Sequence, residues 1–452
     1  MKWLLASAAT LAAVVPTIAL SSGASTDWGR FGYDTARHNA SPDTTITAQN
    51  VATLVRRQVH LDGTVDSSPI YVGGNFVVTT TYGKTEALTP TGNVVWRFTP
   101  PAYSRLAGSA QITNSTPVES TDGTAVYASA SDGRVRKLRL SDGKVLWTTA
   151  ITHDPAHEKI TSSLNVSRGL VIATTGGYLG DAPPYQGHVV TMAESNGKIA
   201  HVWNSLCSDR HTLIVPHTCA SSDSAIWSRN GAAVDPANGT LVVATGNAPW
   251  NGSTDWGDSV IVLSPDAATM LRHWTPVNQQ HLNETDLDIG STSPALLDGG
   301  YAVQGGKDAK LRLLQLHTLP GVSTKKGGEL QTVSTPGGAG LFSEPAVWKG
   351  KWVFVATDSG TAAWLLRGGR LHRVWANGNG GTSPVIAGNL LYIAGGGSVR
   401  VYVPTSGKQV ATLPSGAVHW QSPIVVQGLV AMPEGNANDH AKTGVLDIYS
   451  LP

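Results

Sequence analysis

The sequence predicts an all-β fold, an eight-bladed β-propeller, because a unit returns about every 40–60 residues. Each unit opens with a small or polar residue, usually before a proline, runs through short β-rich stretches, and often closes on a tryptophan. The clear openings are Ser68-Pro69, Thr116-Pro117, Ser293-Pro294, Glu344-Pro345, Ser383-Pro384 and Ser422-Pro423, and weaker ones are Ser163-Leu164 and Gly231-Ala232. Function is therefore expected at the hub where the units converge, and not within any one of them.

The unit count predicts how the ring closes. Eight units span 67–100, 115–151, 162–204, 230–276, 291–336, 343–378, 382–416 and 421–452. The last unit is one strand short, and an unused strand-like segment, Leu54–Leu61, precedes the first. We expect this N-terminal strand to complete the last blade, since closure removes exposed sheet edges. An open solenoid is the alternative, but it would need capping repeats, and the sequence shows none.

Strand and tryptophan patterns support the same fold. Short runs rich in β-branched and aromatic residues are bounded by Gly or Asp, namely Phe76–Thr81, Ala125–Ala130, Leu170–Thr175, Leu241–Thr245, Trp352–Thr357 and Leu390–Gly395. A tryptophan soon after a turn should lie on an outer strand and pack between blades. This applies to Trp96, Trp147, Trp203, Trp274 and Trp375.

Composition narrows the class of protein. The 452 residues carry a formal net charge of +1, so no electrostatic footprint for nucleic acid is present. Residues 1–25 have the pattern of a signal peptide, with Lys2 before an apolar Leu4–Leu20 region; a membrane anchor is the alternative. Residues 26–452 are expected to form one secreted or periplasmic domain, acting as a monomer, with no membrane span.

The two cysteines, Cys207 and Cys219, are expected to form a disulfide in an exported protein. His211 and His217 lie between them, so a metal site is the rival interpretation. The disulfide is favoured because the spacing differs from that of structural zinc sites.

Two segments carry a family resemblance. Leu138-Arg-Leu-Ser-Asp-Gly-Lys-Val-Leu-Trp147 and Ala193-Glu-Ser-Asn-Gly-Lys-Ile-Ala-His-Val-Trp203 resemble the tryptophan-docking repeat of eight-bladed quinoprotein propellers. That family includes alcohol dehydrogenases that use pyrroloquinoline quinone (PQQ), and a propeller of the outer-membrane assembly machinery without a known cofactor. The segment from Asp27 to Arg37 fits the family's opening segment. Members similar to polyvinyl-alcohol dehydrogenase look nearest.

The resemblance implies a set of site residues around the fourth unit. Asn247, in a Thr-Gly-Asn step, matches a metal ligand, and Asp286 matches the base that takes the alcohol proton. Asp288 matches a residue that accompanies lanthanide use, and Lys307 matches the basic partner of the quinone oxygens. The implied metal set is thus Asn247, Asp286 and Asp288, with Ca²⁺ or a lanthanide ion as the metal. Turn geometry is the structural alternative for each of these residues.

The chain also departs from the family pattern. Tyr178 falls where a metal-binding Glu is expected, and Ser109-Ala110 falls where many members have an adjacent cysteine pair. Arg229 lies near the position of the Trp beneath the quinone, so Trp227 is the nearest aromatic substitute; both are candidate cofactor contacts. No Cys-x-x-Cys-His haem signature is present, which implies an external electron acceptor.

The leading functional hypothesis is a PQQ-dependent dehydrogenase that oxidises a small or polymeric alcohol. One alternative is a cofactor-free propeller that binds a protein or glycan. The other is a propeller polysaccharide lyase or hydrolase that uses Tyr178, His419 and Asp286. His419, Trp420 and Gln421 precede the last unit's proline and should face the hub.

Overall fold

Eight β-sheets form the blades of the propeller in a computed structural model that describes residues 27–180 and 182–452. The predicted signal peptide lies outside the described residues. Within blades 1 to 7 the four main strands follow one another in sequence from the inner to the outer edge, and these neighbours pair antiparallel. The predicted eight-bladed propeller is confirmed.

Blades 1 to 4 each contain four consecutive strands. Their bounds are Ile70–Val72, Asn75–Thr79, Thr85–Leu88 and Val94–Phe98; Val118–Glu119, Ala125–Ala130, Arg134–Arg139 and Val145–Ala150; Asn165–Ser167, Leu170–Gly176, His188–Ala193 and Ile199–Asn204; Ala233–Val234, Leu241–Ala244, Val260–Leu263 and Met270–Trp274. A short extra strand, Lys159–Ile160, pairs with the end of Leu170–Gly176 in blade 3.

Blades 5 to 8 repeat the pattern, with one substitution in the last. Their bounds are Ala295–Leu297, Tyr301–Gln304, Lys310–Gln315 and Gln331–Ser334; Ala346–Trp348, Trp352–Thr357, Gly360–Arg367 and Arg370–Asn377; Val385–Ala387, Leu390–Gly395, Ser398–Tyr402 and Gln409–Pro414; Ile424–Val426, Leu429–Glu434, Gly444–Ser450 and the N-terminal Val55–Leu61. An additional strand, Ala40–Ser41, runs parallel to Val385–Ala387.

Helices are short and confined to connections. The α-helices are Tyr103–Leu106 and Gln279–Glu284, and the 3₁₀ turns are Val51–Thr53, Pro216–Thr218, Asp298–Gly300, Leu316–Thr318, Pro336–Gly338 and Ala437–Asp439. No helix among the described residues is long and apolar enough to cross a bilayer.

The N-terminal strand closes the ring as the unit count predicted. Val55–Leu61 pairs antiparallel with Gly444–Ser450 along its whole length. Val59 is 8% exposed and joins the apolar cluster formed by blades 7, 8 and 1. Arg56 donates to both carboxylate oxygens of Asp447 at 2.8 Å. The closure is therefore held by backbone pairing, apolar burial and an ion pair.

The repeated tryptophans of blades 1, 2, 3, 4 and 6 pack against the blade that follows. Trp96 donates its indole N–H to Leu140 O at 2.6 Å, and the same contact recurs from Trp147 to Glu194 O and from Trp375 to Pro404 O. The turn of the next blade packs on the ring. A Cβ on Gly143, whose φ is +71°, would lie 2.5 Å from the Trp96 ring, so only glycine fits there. The predicted inter-blade role is confirmed.

The segment from Trp28 to Asp43 contacts the inner strands of successive blades. Trp28 pairs with Tyr71 in blade 1, and Arg37, 1% exposed, donates to Leu164 O at 2.8 Å beside blade 3. Further contacts follow in blade order: Glu119 N to Gly29 O, Val234 N to Thr35 O, Val347 N to His38 O, and Ile386 N to Asn39 O. The segment thereby ties the blades together at the hub.

The residues that open each unit line the hub and hydrogen-bond to one another. Ser68 contacts Ser422 through their hydroxyls at 2.7 Å, and Ser68 N donates to Thr116 Oγ1 at 3.0 Å. Glu344 N donates to Ser383 Oγ at 2.8 Å, and Ser293 N donates to Glu344 Oε2 at 3.0 Å. The recurring small polar residue before proline is thus explained by these contacts.

Cys207 and Cys219 form the predicted disulfide, with their Cα atoms 6.2 Å apart. The rival Cys/His metal site is therefore wrong. The bridge closes the loop that follows the outer strand of blade 3, Ile199–Asn204.

Closure by the N-terminal strand predicts a difference between two valines of that strand. Val59→Asp should lower the free energy of unfolding by about 3 kcal/mol, because it places a carboxylate in an apolar cluster. Val55→Asp, at a site 57% exposed on the same strand, should change it by less than about 0.5 kcal/mol. Thermal unfolding of both variants measures this, and equal shifts in Tm would contradict the closure.

The buried Glu344 predicts a pH dependence of stability. Burial raises the pKa of Glu344 to about 7, against the opposing hydrogen bonds from the Asn230 and Ser293 backbone N–H groups. The folded protein then binds more protons than the unfolded chain between about pH 4.5 and 7, so this contribution to stability is full below pH 4.5 and is lost as pH rises through 7.

Glu344→Gln lacks this titration. The difference in Tm, wild type minus variant, should therefore decrease as pH rises from about 4.5 to 7 and stay level above pH 7. The decrease should correspond to at most about 3 kcal/mol in the free energy of unfolding. Glu284→Gln, at an exposed site, is the matched control and should track the wild type. A difference for Glu344→Gln that stays constant with pH would refute the assignment.

Candidate functional site

A cavity of about 310 Å³ opens at the hub, and loops from different blades line it. Five of the sequence-predicted residues meet there: Trp227, Arg229, Asn247, Asp286 and Lys307. Asp288, the remaining residue of the implied cofactor and metal set, is fully buried behind the residues that line the cavity, where it contacts Lys307 and Trp227. The predicted set therefore converges on one place, although its members come from blades 4 and 5 and from the connections that precede these two blades.

Lys307 is held between two carboxylates. Its Nζ lies 2.5 Å from Asp286 Oδ1 and 2.8 Å from Asp288 Oδ1. Burial alone would lower the pKa of Lys307, but the two carboxylates outweigh it and raise that pKa above its ordinary value. Lys307 is thus a fixed ammonium at the cavity wall.

Backbone geometry places this ion pair. Lys307 N donates to Asp288 O at 3.0 Å, and a Cβ on the preceding Gly306 would lie 2.9 Å from Ile289 Cα and 3.1 Å from Asp288 O. Only glycine allows that approach. Asp286, which follows the helix Gln279–Glu284, has a φ of +53°, a conformation that Asp tolerates better than most residues.

Asp288 has contacts at both carboxylate oxygens. Trp227 donates its indole N–H to Oδ2 at 2.9 Å, and Lys307 faces Oδ1. Burial raises the pKa of Asp288, and the ion pair with Lys307 opposes it. Burial, and then the negative charge of Asp288, raise the pKa of the neighbouring Asp258 to about 8. The Lys307 ammonium thus acts on both buried acids behind the cavity.

A second polar group lies on the side of the cavity formed by blades 1, 2 and 8. Asp66 is fully buried and accepts from Asn114 Nδ2 at 2.9 Å, Arg229 Nη2 at 3.2 Å and Ala437 N at 3.1 Å. His419 Nδ1 lies 2.8 Å from the same carboxylate. Burial would raise the pKa of Asp66, but Arg229 and His419 outweigh it and hold that pKa below its ordinary value.

Three aromatic rings form what we call the aromatic wall: Trp227, Phe342 and Trp420. The rings of Phe342 and Trp420 are parallel, with centroids 5.6 Å apart, and Trp227 lies 5.9 Å from Trp420. The Arg229 guanidinium lies 5.1 Å from the centroid of the Trp420 ring, and the His419 ring stacks on Trp420 with centroids 4.1 Å apart. The wall therefore offers apolar faces with cations at its edge.

Lys159 adds a further basic group to the cavity. It is half-buried in the short extra strand of blade 3. Burial, and then repulsion from Arg229, lower the pKa of Lys159 to about 7. Among the lining residues the Lys and Arg side chains are Lys159, Arg229 and Lys307, whereas Asp286 is the acidic one. The surface of the cavity thus favours an anionic ligand.

The departures from the family pattern have structural consequences. Tyr178 lines the cavity, but its hydroxyl donates to Pro155 O at 2.8 Å. Ser109, at the expected cysteine-pair position, does not line the cavity; its carbonyl accepts from Tyr82 Oη at 2.9 Å. In the described part of the chain, no group of three or more His, Cys, Asp or Glu side chains is arranged to hold a metal ion.

Sequence reasoning missed Asp66, Asn114, Lys159 and Phe342, although the repeat contains a signal for three of them. The residue two positions before a unit's opening repeatedly reaches the site, because alternate residues of an extended chain point the same way. In six of the eight units that position holds Asp66, Asn114, Thr161, Arg229, Phe342 or Trp420; in the other two it holds Ser291 and Gly381, which do not line the cavity. Of those six residues all but Asp66 line the cavity, and Asp66 binds three residues that do.

Sequence comparison finds two kinds of relative. Residues 45–245 match the family described as outer membrane protein assembly factor BamB. The chain is 24% identical to the dehydrogenase subunit of alcohol dehydrogenase (quinone) from Gluconobacter oxydans (strain 621H), over 56% of this chain and 38% of that protein. It is also 24% identical to outer membrane protein assembly factor BamB from Legionella pneumophila (strain Paris), over 52% of this chain and 46% of that protein. The matched regions thus span less than half of each relative.

Fold comparison covers nearly the whole chain. A quinohemoprotein alcohol dehydrogenase from Pseudomonas putida HK5 superposes with a TM-score of 0.73 and 15% identity, over 94% of this chain and 80% of that one. The chain therefore resembles the quinoprotein propellers in its repeat sequence and has their eight-bladed fold.

Proposed function

We propose that the protein is a PQQ-dependent dehydrogenase that oxidises an alcohol, small or polymeric, outside the cytoplasm as a monomer and passes electrons to an external acceptor. The observation that carries the proposal is the convergence of Trp227, Arg229, Asn247, Asp286 and Lys307 on one hub cavity. The cavity's volume of about 310 Å³ lies at the lower end of the range typical of small-molecule sites. Similarity to quinone-dependent alcohol dehydrogenases supports the same class.

The residues present fit a planar polycarboxylate such as PQQ. Arg229 Nε and Asn114 Oδ1 are buried without a hydrogen-bond partner among the described residues, although both side chains line the cavity. Both atoms are themselves closed to solvent, so the fit to a carboxylate rests on the part of the Arg229 side chain that lines the cavity. Lys159 and Lys307 supply further positive charge, and the aromatic wall supplies faces for a flat ring.

Each residue has a proposed task. PQQ supplies the two-electron acceptor when bound. Asp286 is proposed to take the hydroxyl proton of the alcohol, since its carboxylate lines the cavity and is 59% exposed. Lys307 holds Asp286 in place and presents a positive charge where electron density accumulates. Arg229 and Lys159 would hold the carboxylates of PQQ, and Trp227 would supply an aromatic contact, since all three side chains line the cavity.

The residues that the resemblance implies as metal ligands fit Ca²⁺ less well than the cavity residues fit PQQ. Ca²⁺ takes 6–8 oxygen ligands, whereas Asn247, Asp286 and Asp288 would supply few, and the Lys307 ammonium already contacts both carboxylates. No step is assigned to a metal here.

One observation favours a second candidate. His419 and Asp66 form a carboxylate-oriented imidazole of the kind that serves as a general acid–base, which suits the lyase or hydrolase alternative. Tyr178 and Asp286 line the same cavity. Binding of PQQ, followed by dye-linked oxidation of propan-2-ol that Asp286→Asn abolishes, would support the dehydrogenase. Cleavage of an acidic polysaccharide, lost in His419→Gln, would support the alternative.

The charge of the cavity predicts the affinity for PQQ and its pH dependence. Because the pKa of Lys159 is about 7 in the free protein, Lys159 is cationic below that pH and neutral above it. Calorimetric titration should give a Kd for PQQ that rises as pH increases through 7. Lys159→Met should weaken binding by about 10-fold or more at pH 6 and remove this step.

Lys408→Met is the matched control, because Lys408 is exposed in an outer turn of blade 7. It should bind PQQ like the wild type at every pH. Absence of PQQ binding by the wild type, with Ca²⁺ or a lanthanide present, would refute the proposed function. Binding that is unchanged in Lys159→Met would remove Lys159 from the site.

A further inference from the structure

The position between Asp286 and Asp288 is taken by a side chain of the protein itself. Lys307 Nζ lies 2.5 Å from Asp286 Oδ1 and 2.8 Å from Asp288 Oδ1, so one ammonium bridges both carboxylates. Its backbone N–H donates to Asp288 O at 3.0 Å, and Nζ lies 5.4 Å from the centroid of the Trp227 ring. Both ends of Lys307 are thus anchored at this spot.

Two of the oxygen atoms near this spot already have other partners. Asp288 Oδ2 accepts the Trp227 indole N–H at 2.9 Å, which leaves Oδ1, the oxygen that faces Lys307. Tyr178, at the position where the resemblance expects a carboxylate, donates its hydroxyl to Pro155 O. A hard divalent cation needs several oxygen ligands, and the described residues contain no group of three or more His, Cys, Asp or Glu side chains placed to hold one.

We propose that the Lys307 ammonium replaces the divalent or trivalent cation of this site, so that the protein binds PQQ without a metal. The inference rests on the proposed function for its ligand, but its central claim concerns residues of this chain alone. The fixed ammonium would supply one positive charge to a bound quinone. Behind it, the Asp288 and Asp258 side chains are fully buried. Electrostatic interactions are stronger there than in water.

Replacement by an ammonium has a direct consequence for lanthanide binding. Tb³⁺ bound between Asp286 and Asp288 would lie beside Trp227, whose indole donates to Asp288, so excitation of tryptophan would sensitise its emission. The wild-type chain should show no saturable sensitised emission up to millimolar Tb³⁺. Lys307→Met, which leaves two adjacent carboxylates without their cation, should gain it, whereas Lys408→Met should not. This assay needs no PQQ.

The second measurement is calorimetric titration of the full chain with PQQ after treatment with EDTA, and again with Ca²⁺ or La³⁺ added. The inference predicts Kd values that agree within about threefold, and a loss of about tenfold or more in Lys307→Met without metal. Metal-dependent PQQ binding by the wild type, or saturable Tb³⁺ emission from the wild type equal to that of Lys307→Met, would overturn the inference.

The two failures are distinguishable. Metal-dependent binding of PQQ overturns the ammonium replacement and leaves the proposed function standing. No binding of PQQ under any condition overturns the proposed function, and the Tb³⁺ result then decides by itself whether Lys307 occupies the cation position.

Discussion

Closure of the ring is the constraint on which the rest of the structure depends. A sheet edge left open in blade 8 would expose unpaired backbone groups, and Val55–Leu61 covers that edge while Trp28 to Asp43 ties inner strands together. The outer strand of blade 8 therefore comes from the N-terminal part of the chain. Because the segment from Trp28 to Asp43 contacts the inner strands of blades 1, 2, 4, 6 and 7, it helps to bring the loops before those strands together at the hub.

Charge is distributed unevenly around that hub. Buried acids lie behind the cavity wall, each paired with or close to a cation: Asp66 with Arg229, and Asp288 with Lys307. The basic partners reach the cavity, whereas the acids are fully buried. A protein with a net charge of only +1 thus presents a cationic cavity by orientation of its ion pairs and not by excess of basic residues. This arrangement, next to the aromatic wall, is what favours a flat anionic ligand.

The repeat made the fold predictable, because its period, its prolines and its tryptophans each mark a local structure that recurs in several blades. The closing strand followed from counting units, and the disulfide followed from there being two cysteines in a chain predicted to be exported. Individual site residues were harder to find. Asp66, Asn114 and Phe342 come from blades far apart in sequence, and only their common position two residues before each opening connects them. Lys159 depends on an extra strand that pairs outside the repeat, and the bridge from Lys307 to Asp286 and Asp288 depends on a glycine-permitted approach that no spacing reveals.

The central claim is that the hub cavity binds a planar anionic cofactor through its own cations and aromatic rings. A crystal structure of the protein grown with PQQ and EDTA tests it most directly. We expect PQQ in the hub cavity, with carboxylates in contact with Arg229 and Lys159 and the Lys307 ammonium beside the ring oxygens, and with no metal between Asp286 and Asp288. A hub that stays free of PQQ under saturating conditions, or PQQ bound only at the outer surface of the blades, would contradict it.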